Sequence, residues 1–87
     1  PNYDCVDCNG VTYDVKTTPY LDGHLAATLK KKENPPDKYV LAVGKFPDYD
    51  LIGEISAEEF LQEGNIGTLG KGLCYKLTQA ELNPINI

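Results

Sequence analysis

Between positions 11 and 17 the side chains alternate, with Val11, Tyr13 and Val15 on one side and Thr12, Asp14 and Lys16 on the other. A period of two marks a half-buried strand. Residues 3–8 read as its partner strand, and Asn9-Gly10 between them signals a hairpin, since glycine takes the positive φ such a turn needs. Pro19 and Asp22-Gly23 end the pattern. Over 24–32, Leu21, Leu25 and Leu29 recur at helical spacing, which favours a short helix, although 24–29 also reads as extended. Residues 39–43 form a nearly continuous apolar run, as expected of a central strand buried on both faces. Phe46-Pro47-Asp48 then turns the chain into another strand at 49–55. Ser56-Ala57-Glu58-Glu59 is a capping box that starts a short helix, anchored to the sheet by Phe60 and Leu61. Glycines at 64, 67, 70 and 72 predict a mobile loop without the ending of a phosphate-binding P-loop. Residues 73–77 return as a strand, and Thr78-Gln79-Ala80-Glu81 starts a last helical turn that Pro84 ends. These elements make one α/β (α+β) domain over 1–87, with a mixed β-sheet, a β-hairpin and one or two short helices.

At 87 residues the domain buries a modest core, so a metal, an upstream segment or a second copy is expected to help hold it. The chain opens on Pro1 and contains no methionine, which implies a segment upstream of it. No window approaches the roughly 18 consecutive apolar residues of a membrane span, and no membrane partner is expected. Three cysteines cannot all pair within one chain, which points to a reducing, cytoplasmic setting. Cys5 and Cys8 have the spacing of half a zinc knuckle, but only His24 and Cys74 remain to complete it. The net charge of −5 and the absence of arginine argue against an ordinary nucleic-acid binder. Any phosphate contact falls to lysine: Lys30, Lys31 and Lys32, with Thr17, are the candidate substrate contacts. The alternative for the lysine run is a solvated connection.

The chemistry concentrates in the hairpin, and its turn decides which acid meets Asp14. With a two-residue Asn9-Gly10 loop, Cys8 pairs with Val11, Cys5 stands opposite Asp14, and Asp7 becomes the nearer acid on Asp14's face. With a three-residue loop closed by a glycine bulge, Asp7 pairs with Val11 and Asp4 comes level with Asp14. Directly opposed residues have Cβ atoms roughly 4.5–5.5 Å apart, close enough for two carboxylates to bracket a divalent cation. Uncompensated, the two carboxylates repel; with a cation between them and Lys16 alongside, they can activate a water and stabilise charge on a phosphoryl group.

Asp4, followed ten residues on by Asp14-Val15-Lys16, resembles the signature of the PD-(D/E)XK, or restriction-endonuclease-like, nuclease superfamily. The order of Asp14-Val15-Lys16-Thr17-Thr18, Asp37-Lys38-Tyr39-Val40-Leu41, Ile52-Gly53-Glu54-Ile55-Ser56 and Gln79-Ala80-Glu81-Leu82 is similar to that in small phage and bacterial proteins of this class. The resemblance implies a restriction-endonuclease-like core and an endonuclease that hydrolyses DNA phosphodiesters with Mg²⁺ or Mn²⁺. Carried over, Asp4 and Asp14 are the metal ligands, Val15 lends its carbonyl, and Lys16 assists the attacking water; Asp7 is the alternative acid. Two departures accompany it: Tyr3 stands where proline usually precedes the first acid, and the helix that normally comes before the hairpin is missing. That leaves one sheet face for an upstream segment or another copy to cover.

Two other functions compete. Tyr3-Asp4-Cys5 and Cys74 resemble the layout of small secreted, noncatalytic ribonuclease-like effectors, a reading that a Cys5–Cys74 disulfide would favour. The second is an accessory domain that keeps the nuclease fold and binds without cutting. Tyr13, Tyr39 and Tyr75 read as half-buried strand residues rather than base-stacking platforms.

Overall fold

The computed structural model describes residues 3–70 and 72–85. Among them are strands β1 (Cys5–Val6), β2 (Thr12–Thr18), β3 (Leu25–Ala27), β4 (Lys38–Lys45), β5 (Asp48–Ser56), β6 (Ile66–Leu69) and β7 (Gly72–Leu77), and one turn of α-helix, α1 (Ala57–Phe60). Three 3-10 turns, Leu29–Glu33, Glu63–Asn65 and Gln79–Glu81, complete the elements.

The mixed sheet of the sequence reading is present, in the order β1-β2-β4-β5, but a second sheet, β3-β7-β6, accompanies it. In the first sheet β2 and β4 run parallel, while β1 and β5 pair antiparallel at either side. Parallel neighbours need a long crossover. Here the chain from β2 to β4 carries β3 and the turn Leu29–Glu33 across to the second sheet and back. As the apolar run implied, β4 is central, and Tyr39, Val40, Leu41, Ala42 and Val43 are all buried.

The core lies between the sheets. Tyr39, Leu41 and Ile55 from the first meet Leu25, Ala27, Tyr75 and Leu77 from the second, with Ala57, Phe60 and Leu61 closing the end. Phe60 is fully buried, its ring 5.0 Å from that of Tyr39 and 6.2 Å from that of Tyr75, both edge-on. Tyr39 and Tyr75 are therefore core residues rather than half-buried ones. Ser56 caps α1 by accepting the Glu59 amide on Oγ at 3.2 Å and donating to its carboxylate, while Thr78 and Glu81 form the complete reciprocal box.

Two expectations give way. The helix at 24–32 is replaced by β3 and a 3-10 turn, because the helical stripe has nowhere to bury: Leu21 is 88% exposed and Leu29 39%. Leu25 and Ala27, two residues apart, are buried and pair with Leu77 and Tyr75, so alternation outweighs the period of four. The glycine-rich loop is in large part a hairpin, β6–β7, turning at Gly70 with φ +67°. Gly67 provides clearance there: a Cβ would come within 2.7 Å of Cε of Lys76, whose stem crosses the strand to donate to the Thr68 carbonyl at 2.8 Å.

The opposite face of the first sheet carries half-buried Tyr13 and Val15 and exposed Leu51, around a shallow open depression that Ile85 partly lines. Among the described residues no helix is long and apolar enough to cross a membrane.

Candidate functional site

The hairpin takes the three-residue register. Cys5 pairs with Tyr13 and Val6 with Thr12. The Asp7 amide donates to the Val11 carbonyl at 3.0 Å, the Gly10 amide closes back on the Asp7 carbonyl at 3.1 Å, and Gly10 supplies the positive φ of +83°. Asp7 belongs to this turn and not to Asp14's face. Its Oδ1 accepts the amides of Asn9 (2.8 Å) and Val11 (3.0 Å), and its Oδ2 the hydroxyl of Tyr13 (3.1 Å).

The Val11 amide, helped by the Asn9 amide and the Tyr13 hydroxyl, holds the Asp7 carboxyl below its ordinary 3.8 against the opposing effect of desolvation. A depressed folded value means that the stability Asp7 contributes is present above that ordinary value and is lost as pH falls through the depressed one. Urea midpoints of the wild type and Asp7→Asn are accordingly expected to lie apart at neutral pH and converge in acid. Parallel curves down to the acid end would show that the turn does not depend on the charge.

Asp4 stands just past the paired residues of β1. Its amide donates to the Tyr13 carbonyl (2.8 Å), and its Oδ2 accepts the amide of Val15 (2.8 Å). The first acid thus sits on the peptide that joins Asp14 to Val15. Asp14, in turn, is 5% exposed, an unusual place for a carboxylate unless it is paired. It is paired twice: Lys16 Nζ lies 3.4 Å from Oδ1 and Lys31 Nζ 3.0 Å from Oδ2. Strand alternation puts Lys16 on Asp14's face, whereas Lys31 arrives on the 3-10 turn after β3.

The sequence marks Lys31 only as a candidate substrate contact, since no local pattern ties it to Asp14, 17 residues away. Lys30 and Lys32, on the same turn, are exposed, as is Thr17 on the opposite face of β2. The Asp37 Oδ2 accepts both the amide (2.9 Å) and hydroxyl (3.2 Å) of Thr12, and the Asp37 amide donates to that hydroxyl (2.9 Å). This clasp aligns the starts of β2 and β4, and sequence reasoning missed it.

Tyr39 is the register neighbour of Asp14 on β4. Its hydroxyl is buried without a hydrogen-bond partner among the described residues. Burial, and then the negative charge of Asp14, push its pKa up to about 12. The phenol therefore stays neutral beside the carboxylate. On its other side Lys16 borders an open cleft of about 460 Å³, lined also by Thr17, Thr18, Tyr20, His24 and Ala26.

Among the described residues no group of three or more His, Cys, Asp or Glu side chains is gathered to hold a metal ion. The expected direct opposition of Asp4 and Asp14 is not seen, because pairing ends at Cys5 and Tyr13 and Asp4 turns onto the Val15 amide; the hard oxygen donors here are that Asp4 carboxylate and the lysine-paired Asp14. That donor chemistry suits magnesium or manganese rather than zinc. Cys5 and Cys8 are exposed, Cys74 is half-buried on the central strand of the second sheet, and all three are free. The Cys5–Cys74 bridge of the effector reading is not formed. Compared with protein-family models, curated proteins and solved structures, the chain matches none.

Proposed function

We propose that this domain is a nuclease of restriction-endonuclease-like type that hydrolyses DNA phosphodiesters with Mg²⁺ or Mn²⁺. The observation that carries the reading is Asp14: a carboxylate buried at the edge of the core, bracketed by two ammonium groups, with a second carboxylate held one peptide away. A fold of this size gains little from burying such a charge, and paired hydrophobic residues would serve stability as well.

In this reading Asp4, Asp14 and the Val15 carbonyl hold the metal. When bound there, a divalent cation supplies Lewis acidity to a phosphoryl oxygen and acidifies a water. Lys16 acts at the reacting atoms: its ammonium, on the residue that directly follows the Val15 carbonyl, orients the attacking water and stabilises charge gathering on the phosphoryl oxygens. Tyr39 donates its otherwise unpartnered hydroxyl to water beside Asp14. The cleft on the far side of Lys16 receives the substrate strand, with Thr17 at its wall; Lys30 and Lys32 face the phosphates from solvent.

The test is cleavage of plasmid and single-stranded DNA with Mg²⁺, Mn²⁺ or EDTA. Cutting is expected with either metal and not with EDTA. Lys16→Ala is expected to lower the rate about 10²–10³-fold while metal binding persists, the usual loss when one transition-state donor is removed. Metal and DNA binding without cutting by the wild type would assign the domain to the accessory class. Neither binding nor cutting would dismiss the nuclease reading.

A further inference from the structure

Both oxygens of Asp14 already carry a cation, and the two lysines come from elements of different kinds. Lys16 lies in the middle of β2, a strand paired on both sides. Lys31 lies on the turn Leu29–Glu33, which has no buried residue, and its N-cap Thr28 makes no side-chain cap hydrogen bond. The Lys31 amide donates to the Thr28 carbonyl at 3.1 Å, and its ammonium reaches Asp14 Oδ2 at 3.0 Å. Of the two, Lys31 makes the closer contact with Asp14, and the turn that carries it is paired to no strand.

A divalent cation of the magnesium class binds a carboxylate oxygen at about 2.0–2.1 Å. An ammonium 3.0 Å from the same oxygen is then a like charge in the adjoining space. We infer that Lys31 is a tethered counter-ion at the metal position: it neutralises Asp14 until a divalent cation displaces it, and the released ammonium then turns outward towards Lys30 and Lys32. The inference rests on the nuclease reading and adds to it a competition built into the chain. Its consequence is ordering. Three like charges on one short turn are brought together only after the metal is in place, which couples metal loading to attraction of an anionic phosphodiester.

The experiment is Mn²⁺ binding, followed by calorimetry and by the loss of the free-ion electron paramagnetic resonance signal, in the absence of DNA. Lys31→Gln is expected to bind Mn²⁺ about tenfold more tightly than the wild type, in the usual range for coupling between competing ligands. Lys31→Arg keeps the competing charge and is expected to stay within about twofold of the wild type. Wild-type binding with unchanged or weaker binding by Lys31→Gln overturns the competition and leaves the nuclease reading standing. Binding by neither overturns both. Should Lys31→Gln fold poorly, the unaltered chain still decides: adding Mg²⁺ is expected to speed amide hydrogen exchange over residues 29–33, and unchanged exchange in a chain that binds the ion contradicts displacement.

Discussion

Asp14→Asn is expected to abolish both the proposed DNA cleavage and the rise in melting temperature that Mg²⁺ or Mn²⁺ would produce, and to leave the domain folded. Asparagine has nearly the volume of aspartate, so the core edge is not emptied. The lysines that lose their partner are 31% and 30% exposed and can be solvated where they stand, so the fold is expected to lose only about 1–2 kcal/mol. Binding of a metal at a hundredfold excess over its dissociation constant stabilises a fold by about 2.7 kcal/mol, or roughly 10–20 °C for a domain of this size. That shift is expected to disappear with the carboxylate. Lewis-acid stabilisation is worth several kcal/mol, and at about 1.4 kcal/mol per tenfold the proposed cleavage is expected to slow about 10³-fold or more. Melting curves with and without metal, beside cleavage by the same preparation, separate lost chemistry from lost structure. A variant that keeps its metal-dependent shift moves the site away from Asp14.

Phe60→Ala has the largest expected effect on stability. The ring is fully buried at the end of the core and meets Tyr39 of the first sheet and Tyr75 of the second edge-on. Truncating a buried phenylalanine costs about 3–5 kcal/mol, including the cavity it leaves. Domains of this length have a total stability near the lower part of the usual range, about 5–15 kcal/mol. The melting temperature is expected to fall by about 15 °C or more, read by circular dichroism. Phe60→Leu, which retains most of the apolar volume, is expected to recover the larger part. A loss below about 1 kcal/mol in Phe60→Ala would mean that α1 does not pin the two sheets together.

Much of the local structure was legible because it depends on local physics. The alternation from Val11 marks β2, the apolar run from Tyr39 marks a central strand, and the hydroxyl–carboxylate spacings mark the caps at Ser56 and Thr78. Errors arose where packing outvoted a local pattern. Leu21, Leu25 and Leu29 have helical spacing, yet β7 offers an edge on which Leu25 and Ala27 bury, and the outer leucines are left exposed. Glycine at 67 reads as mobility, but its role is to let the Lys76 stem cross β6.

The same division runs through the candidate site. By itself the sequence determined that Asp14 and Lys16 share one face, since alternation along a strand requires it, and narrowed the hairpin to two registers with different acids beside Asp14. Only the tertiary structure decided between them, through a Gly10 bulge and an Asp7 carboxylate folded back onto its own turn. It also decided that Asp4 caps the Val15 amide and that Lys31 closes on Asp14. The reason is the parallel pairing of β2 with β4. Parallel strands cannot be joined by a tight turn, so the chain must cross to the second sheet and return, and that crossover sets a lysine 17 residues away on a buried carboxylate.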